Sequence, residues 1–174
     1  MIDVLYTMIT EQTYLYQEEE KSLEKVLNVQ MVTPVFDGAK DTSPYTEGDE
    51  PNPINWYGET KYFGEQFVLE SGCKSVIVRI SMPYSSQYEE KKDVARFFLE
   101  QLNSGKQVKA INDQRITPTL VNDIAYALNI LLENRVLGIY HISSTDSVSP
   151  LEFVKTIAKT FHLDYSLINS ISLD

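Results

Sequence analysis

The chain has a single cysteine, Cys73, in 174 residues. One thiol excludes an internal disulfide framework and a Cys-rich zinc site. It also fits a reducing compartment, so a cytoplasmic location is expected. Cationic residues are scarce, 15 Lys+Arg against 25 Asp+Glu, for a formal net charge of −10. The longest basic run is Lys91-Lys92, which excludes the clustered positive footprint that binds nucleic acid. No apolar stretch approaches 18 residues and no basic stretch precedes an apolar one at the N-terminus. Neither a membrane span nor a signal peptide is therefore expected. Glycine is sparse: the seven stand at 38, 48, 58, 64, 72, 105 and 138. No two lie two or three apart, so the turn whose missing side chains let backbone approach a dinucleotide pyrophosphate is absent from the sequence. What is present is a globular composition, 43% hydrophobic and 11% aromatic. At this length folding buries roughly 70% of the unfolded chain's surface, ample for a core.

Periodicity divides the chain into alternating helices and strands. Ser22 to Leu27 reads as an amphipathic helix showing Leu23, Val26 and Leu27 to a core, and Val29 to Phe36 as a strand interrupted by Pro34. Asp37 to Ile54, with two glycines and three prolines, is loop. Asn55 to Ser71 returns to helical spacing and stops at Gly72; Lys74 to Ile80 is a β-branched strand buried on both faces. A helix over Asp93–Asn103 precedes a strand over Val108–Ile111. Next come a helix over Val121–Glu133, with Ile124, Leu128, Leu131 and Leu132 inward and Asn122 or Thr119 as cap, and a strand over Gly138–Ile142. Ser149-Pro150-Leu151-Glu152 combines an N-cap Ser, a Pro in the first turn and a Glu three residues on, a capping box opening a helix to Phe161. The alternation predicts an α/β fold with a largely parallel sheet and flanking helices.

The most suggestive chemistry is Tyr57 with Lys61. At spacing i, i+4 both side chains share one helix face. A phenol is a poor acid or base at neutral pH, and a nearby ammonium favours phenolate, so the pair could protonate a nascent alkoxide or deprotonate an alcohol. The bare pattern is common, however: Tyr88 and Lys92 share it, and eleven Tyr and eleven Lys give about 0.7 such pairs by chance. A half-buried tyrosine beside a solvated lysine is the competing reading.

Context separates the two. Val35-Phe36-Asp37-Gly38, Pro44-Tyr45-Thr46-Glu47, Pro51-Asn52-Pro53-Ile54-Asn55, Tyr57-Gly58-Glu59-Thr60-Lys61 and Gly64-Glu65 resemble, in order and spacing, the dTDP-4-dehydrorhamnose reductase family of extended short-chain dehydrogenase/reductases. The resemblance continues through Val78-Arg79-Ile80, Arg115 to Ala125 and Gly138 to Ser143, covering roughly Val29 to Leu167. The regulatory β subunit of methionine adenosyltransferase is similar over the same stretch. This resemblance implies a cofactor, NADP or NAD, and a nucleotide-sugar substrate. Tyr57 would donate a proton to a sugar C4 carbonyl, and Lys61 would hold the nicotinamide ribose and depress the Tyr57 pKa. The family's Ser or Thr that polarises the carbonyl aligns with Val32, so Thr33 takes the role only if the strand slips by one residue. Arg115 matches an arginine that faces the nucleotide of the sugar donor; a surface arginine paired with Asp113 or Asp123 is the alternative. The resemblance also implies a partial Rossmann-like parallel sheet with flanking helices over residues 1–104 and a small C-terminal substrate lobe over residues 105–174, within one compact unit, with part of a nucleotide-binding half before Val29 and a further segment after Asp174.

Remaining candidates are weaker. His141 in an apolar strand and His162 at a helix end have no Cys or Glu at ligand spacing, and both read as structural. Ser85-Ser86 lacks the glycines of a nucleophile elbow. Three readings stay open: a truncated NAD(P)-dependent reductase of a nucleotide-activated 4-keto sugar, a non-catalytic regulatory module of the same fold that docks to a protein partner, and a self-associating remnant with an exposed strand edge.

Overall fold

The computed structural model describes residues 26–31, 35–40, 44–85 and 92–173. Its described residues fall into two compact units, described separately below. One holds the residues up to Ser81 together with Val121–Ser143; the other holds Met82–Leu120 together with the residues from Ser144 on.

The first unit is built on a three-stranded parallel sheet. Strand β1 (Val26–Met31) pairs with β2 (Ser75–Ile80), and β2 pairs on its other side with β6 (Gly138–Ile142). Parallel neighbours need long crossovers. The first is helix α1 (Trp56–Glu70), and helix α3 (Val121–Glu133) precedes β6. The central strand β2 is buried on both faces, as its run of Val and Ile predicts. Val76, Val78 and Ile80 project from one face onto Ile124 and Leu128 of α3, with Leu131, Tyr140 and Ile142 packed around them. Alternation then sends Arg79 to the opposite face, where α1 lies.

The second unit contains β3 (Pro83–Tyr84) paired with β5 (Thr119–Leu120), and β4 (Val108–Ile111) paired with β7 (Ile168–Ile171), both parallel. Helices α2 (Val94–Asn103) and α4 (Pro150–Thr160) cover β4, around a core of Leu102, Val108, Ala110, Val154 and Ala158. The capping box is present in both halves: the Ser149 hydroxyl accepts from the Glu152 N–H, and the Glu152 carboxylate accepts from the Ser149 N–H.

Four expectations need correction. Val26 and Leu27 are extended, not helical: they open β1 opposite Ser75 and Val76, and this pairing across the sheet overrides the local helical pattern; residues 22–25 lie outside the described residues. Val35 and Phe36 fall in a bend, not a strand, because Phe36 turns to stack on Tyr45. Neither Thr119 nor Asn122 caps α3. The Thr119 hydroxyl bonds Ser144 N–H and Thr117 C=O, and Asn122 is already inside the helix. The boundary expected after residue 104 is not where the described units divide. The chain passes between them three times, since α3 and β6 return to pack on and pair with β2.

Candidate active site

Helix α1 starts where Asn55 caps it. The Asn55 side chain accepts from Gly58 N–H at 2.9 Å and its carbonyl accepts from Glu59 N–H at 3.0 Å. It ends at Gly72, whose φ of +68° is the left-handed conformation that favours glycine. Tyr57 and Lys61 stand one turn apart near the capped end, with the Lys61 ammonium 5.4 Å from the Tyr57 ring centroid. The phenol is half-buried, 48% exposed. Burial alone raises its pKa above the ordinary value of 10, and burial lowers that of Lys61. This corrects the expectation that Lys61 depresses the Tyr57 pKa: the ammonium sits over the ring, and desolvation sets the direction.

Tyr57, Lys61 and Glu65 form one i, i+4, i+8 row. Glu65 is fully buried and meets Arg79 of β2, itself 3% exposed. The guanidinium grips both carboxylate oxygens, Nε to Oε1 at 2.9 Å and Nη2 to Oε2 at 2.7 Å. Its third prong, Nη1, lies 3.2 Å from His141 Nε2 on β6, and its carbon lies 5.2 Å from the Phe36 ring centroid. Because the guanidinium only donates, His141 Nε2 accepts, and the neutral ring carries its proton on Nδ1. Burial lowers the His141 pKa, with Arg79 acting in the same direction and Glu47 opposing.

The loop beyond this hub is tied down by its own polar groups. Phe36 stacks on Tyr45 with ring centroids 4.2 Å apart, and the Tyr45 hydroxyl donates to Asp37 at 2.6 Å. Asp37 also accepts from Asn52 Nδ2 at 2.8 Å, and these bonds hold its pKa at about 2. Asp49, bound by Lys40 and by Thr46, likewise sits at about 2. Glu47 accepts from the His141 backbone N–H at 2.8 Å, which lowers its pKa. His141, read from sequence as structural, is therefore a junction between strand, hub and loop.

Thr33 and Tyr88 lie outside the described residues. Arg115 belongs to the second unit, exposed, where it binds Glu152 at 3.1 Å, the Ser147 hydroxyl at 3.3 Å and the Ser147 carbonyl. Neither Asp113 nor Asp123 is its partner. Asp113 accepts instead from Ser172 and the Leu173 N–H. The Arg79–Glu65 pair was missed as a unit, although its signal was present: an arginine in the middle of a strand read as buried on both faces requires an anionic partner.

A family model described as RmlD substrate binding domain matches residues 24–174. The chain belongs to that family. Over 138 residues it is 33% identical to a probable low-salt glycan biosynthesis reductase, Agl14, of Haloferax volcanii, covering 78% of this chain and 46% of that protein. Over 144 residues it is 32% identical to methionine adenosyltransferase 2 subunit beta of Rattus norvegicus, covering 79% of this chain and 42% of that one. This member of the RmlD family thus spans less than half the length of these curated relatives. Among solved structures it is similar to dTDP-4-dehydrorhamnose reductase of Bacillus anthracis in complex with NADP. There the TM-score is 0.77 at 31% identity, covering 86% of this chain and 51% of that chain. Thermus thermophilus UDP-glucose 4-epimerase, at TM-score 0.74 and 17% identity over 86% of this chain and 51% of that one, shares the fold. The expected membership and the α/β Rossmann-like fold are borne out. No described helix is long and apolar enough to cross a membrane, and no group of three or more His, Cys, Asp or Glu among the described residues could hold a metal.

Proposed function

We propose that this chain is the proton-donating portion of a nicotinamide-dependent reductase acting on a nucleotide-activated 4-keto sugar. The observation that carries the reading is the half-exposed Tyr57 hydroxyl with the Lys61 ammonium beside it, in a chain of the RmlD substrate binding domain family. These two groups fit the ribose and nicotinamide end of a dinucleotide; the seven glycines offer no paired turn for its pyrophosphate. When bound, NADP or NAD supplies the hydride. Tyr57 gives its proton to the carbonyl oxygen as negative charge develops there, and its raised pKa keeps the phenol protonated for that role. Lys61 holds cationic charge next to the phenolate that remains. Thr33 would polarise the carbonyl if its strand slips by one residue, and Arg115 would meet the substrate's phosphates in exchange for its contact with Glu152.

Trp56, the one tryptophan of the chain, adjoins Tyr57 and reports on this site. Titration with NADPH or NADH should change its fluorescence saturably, and Tyr57→Phe should retain binding while losing turnover. A flat titration at millimolar dinucleotide would remove cofactor competence from this chain. That outcome favours the second reading, a regulatory module docking to a protein partner. The 32% identity to methionine adenosyltransferase 2 subunit beta supports that alternative.

A further inference from the structure

We propose that Glu65 and Arg79 are positioning residues for the Tyr57–Lys61 pair: their two-pronged buried contact sets the rotation of α1 on β2, and with it the place of the phenol and the ammonium. The inference rests on the reductase reading only for the use made of that placement; the contacts stand without it.

The composition of the helix face carries the argument. Over its fifteen residues α1 buries only Gly58, Glu65 and Val68. Its aromatic stripe, Trp56, Phe63 and Phe67, is exposed, Trp56 by 74%. An amphipathic helix is usually held in rotation by a broad apolar face, and here that face is reduced to one valine and a glycine. What remains is directional: Nε and Nη2 of Arg79 meet the two oxygens of Glu65, a planar fork that tolerates little turning. Arg79 is fixed in turn by His141 Nε2 on β6 and by the Phe36 ring. Helix α1, strands β2 and β6 and the Phe36 ring thus converge on one guanidinium. The lever is short. Turning a helix by about 20° sweeps a side-chain tip at about 6 Å radius through about 2 Å, and a misplacement of about 1 Å can cost roughly 10²-fold in rate.

Tyr57 and Lys61 lie on the same helix, so their mutual contact survives such a rotation, while the burial of each against the rest of the unit does not. The test therefore reads those two groups in the full chain, without dinucleotide. Glu65→Leu with Arg79→Met removes the pair without stranding a buried charge. Phenol ionisation followed at 295 nm, as a difference against the same background carrying Tyr57→Phe, gives the Tyr57 midpoint. Nitrogen-15 NMR of lysine, assigned with Lys61→Arg, gives that of Lys61. The expected result is a folded double variant in which the Tyr57 midpoint falls and the Lys61 midpoint rises, each toward its ordinary value. Arg79→Lys, which keeps the charge but not the fork, should show a smaller shift and provides the measurement if the double variant does not fold. A purely structural pair would change the unfolding midpoint and leave both titrations where they are; unchanged titrations overturn the proposal. Because no cofactor is involved, a failed NADPH titration leaves this result standing.

Discussion

Removing one partner of the Glu65–Arg79 pair should damage the protein far more than removing both. In Glu65→Ala the Arg79 guanidinium, 3% exposed, keeps its charge in a site closed to water. Uncompensated buried charges of this kind cost about 3–5 kcal/mol, against a total stability of about 5–15 kcal/mol for a domain. Glu65→Leu with Arg79→Met substitutes apolar groups of similar length, strands no buried charge while removing the donor to His141 Nε2, and should lie within about 2 kcal/mol of the parent on either side. Glu65→Leu alone, Arg79→Met alone and the double variant form a double-mutant cycle with the parent, with urea unfolding followed by far-UV circular dichroism. Because the pair sits within the first unit, amide exchange at Ile77 and Val78 provides a local readout. A loss below about 1 kcal/mol in Glu65→Ala, or a double variant no more stable than that single one, would refute the claim that the pair is buried and uncompensated when split.

His141 should make the first unit acid-sensitive well above the carboxylate range. Its pKa is lowered by folding from the ordinary 6.5, so the unfolded chain takes up the proton first and stability declines as pH falls below 6.5. His141→Gln, which keeps an acceptor for Arg79, should flatten urea midpoints between pH 7.5 and 5; an unchanged slope would exclude His141 as the source. Asp37 and Asp49, both at about 2, should add a second loss as pH drops below about 4, seen as faster exchange in the loop from Val35 to Asn52. Ser149→Ala should cost about 1 kcal/mol by opening the capping box of α4, measured by thermal unfolding. Arg115→Ala should change stability by less than about 1 kcal/mol, since its ion pair with Glu152 is exposed.

Much of the architecture was legible in local pattern. The spans of α1, α3, β4 and β6 follow from periodicity and from glycines and prolines at their ends, and the capping box follows from four consecutive residues. Where the reading failed, a distant segment intervened. Val26 and Leu27 have helical spacing but are drawn into β1 by β2, almost fifty residues away in sequence. Phe36 leaves the expected strand to stack on Tyr45, and the hydroxyl of Thr119 is taken by Ser144 rather than by a helix end.

The same division holds for the candidate site. Sequence alone determined that Tyr57 and Lys61 share a helix face, because i, i+4 neighbours are fixed by helix geometry whatever surrounds them. It also determined, through an ordered block of motifs, the family to which the chain belongs. Only the tertiary structure decided the electrostatics: that burial rather than Lys61 sets the direction of the Tyr57 shift, that Glu65 is the partner of Arg79, and that Arg115 pairs with Glu152. A hydrogen bond within one helical turn is written in adjacent residues. The partner and the dielectric of a charge are set by segments that meet only when strands and helices pack.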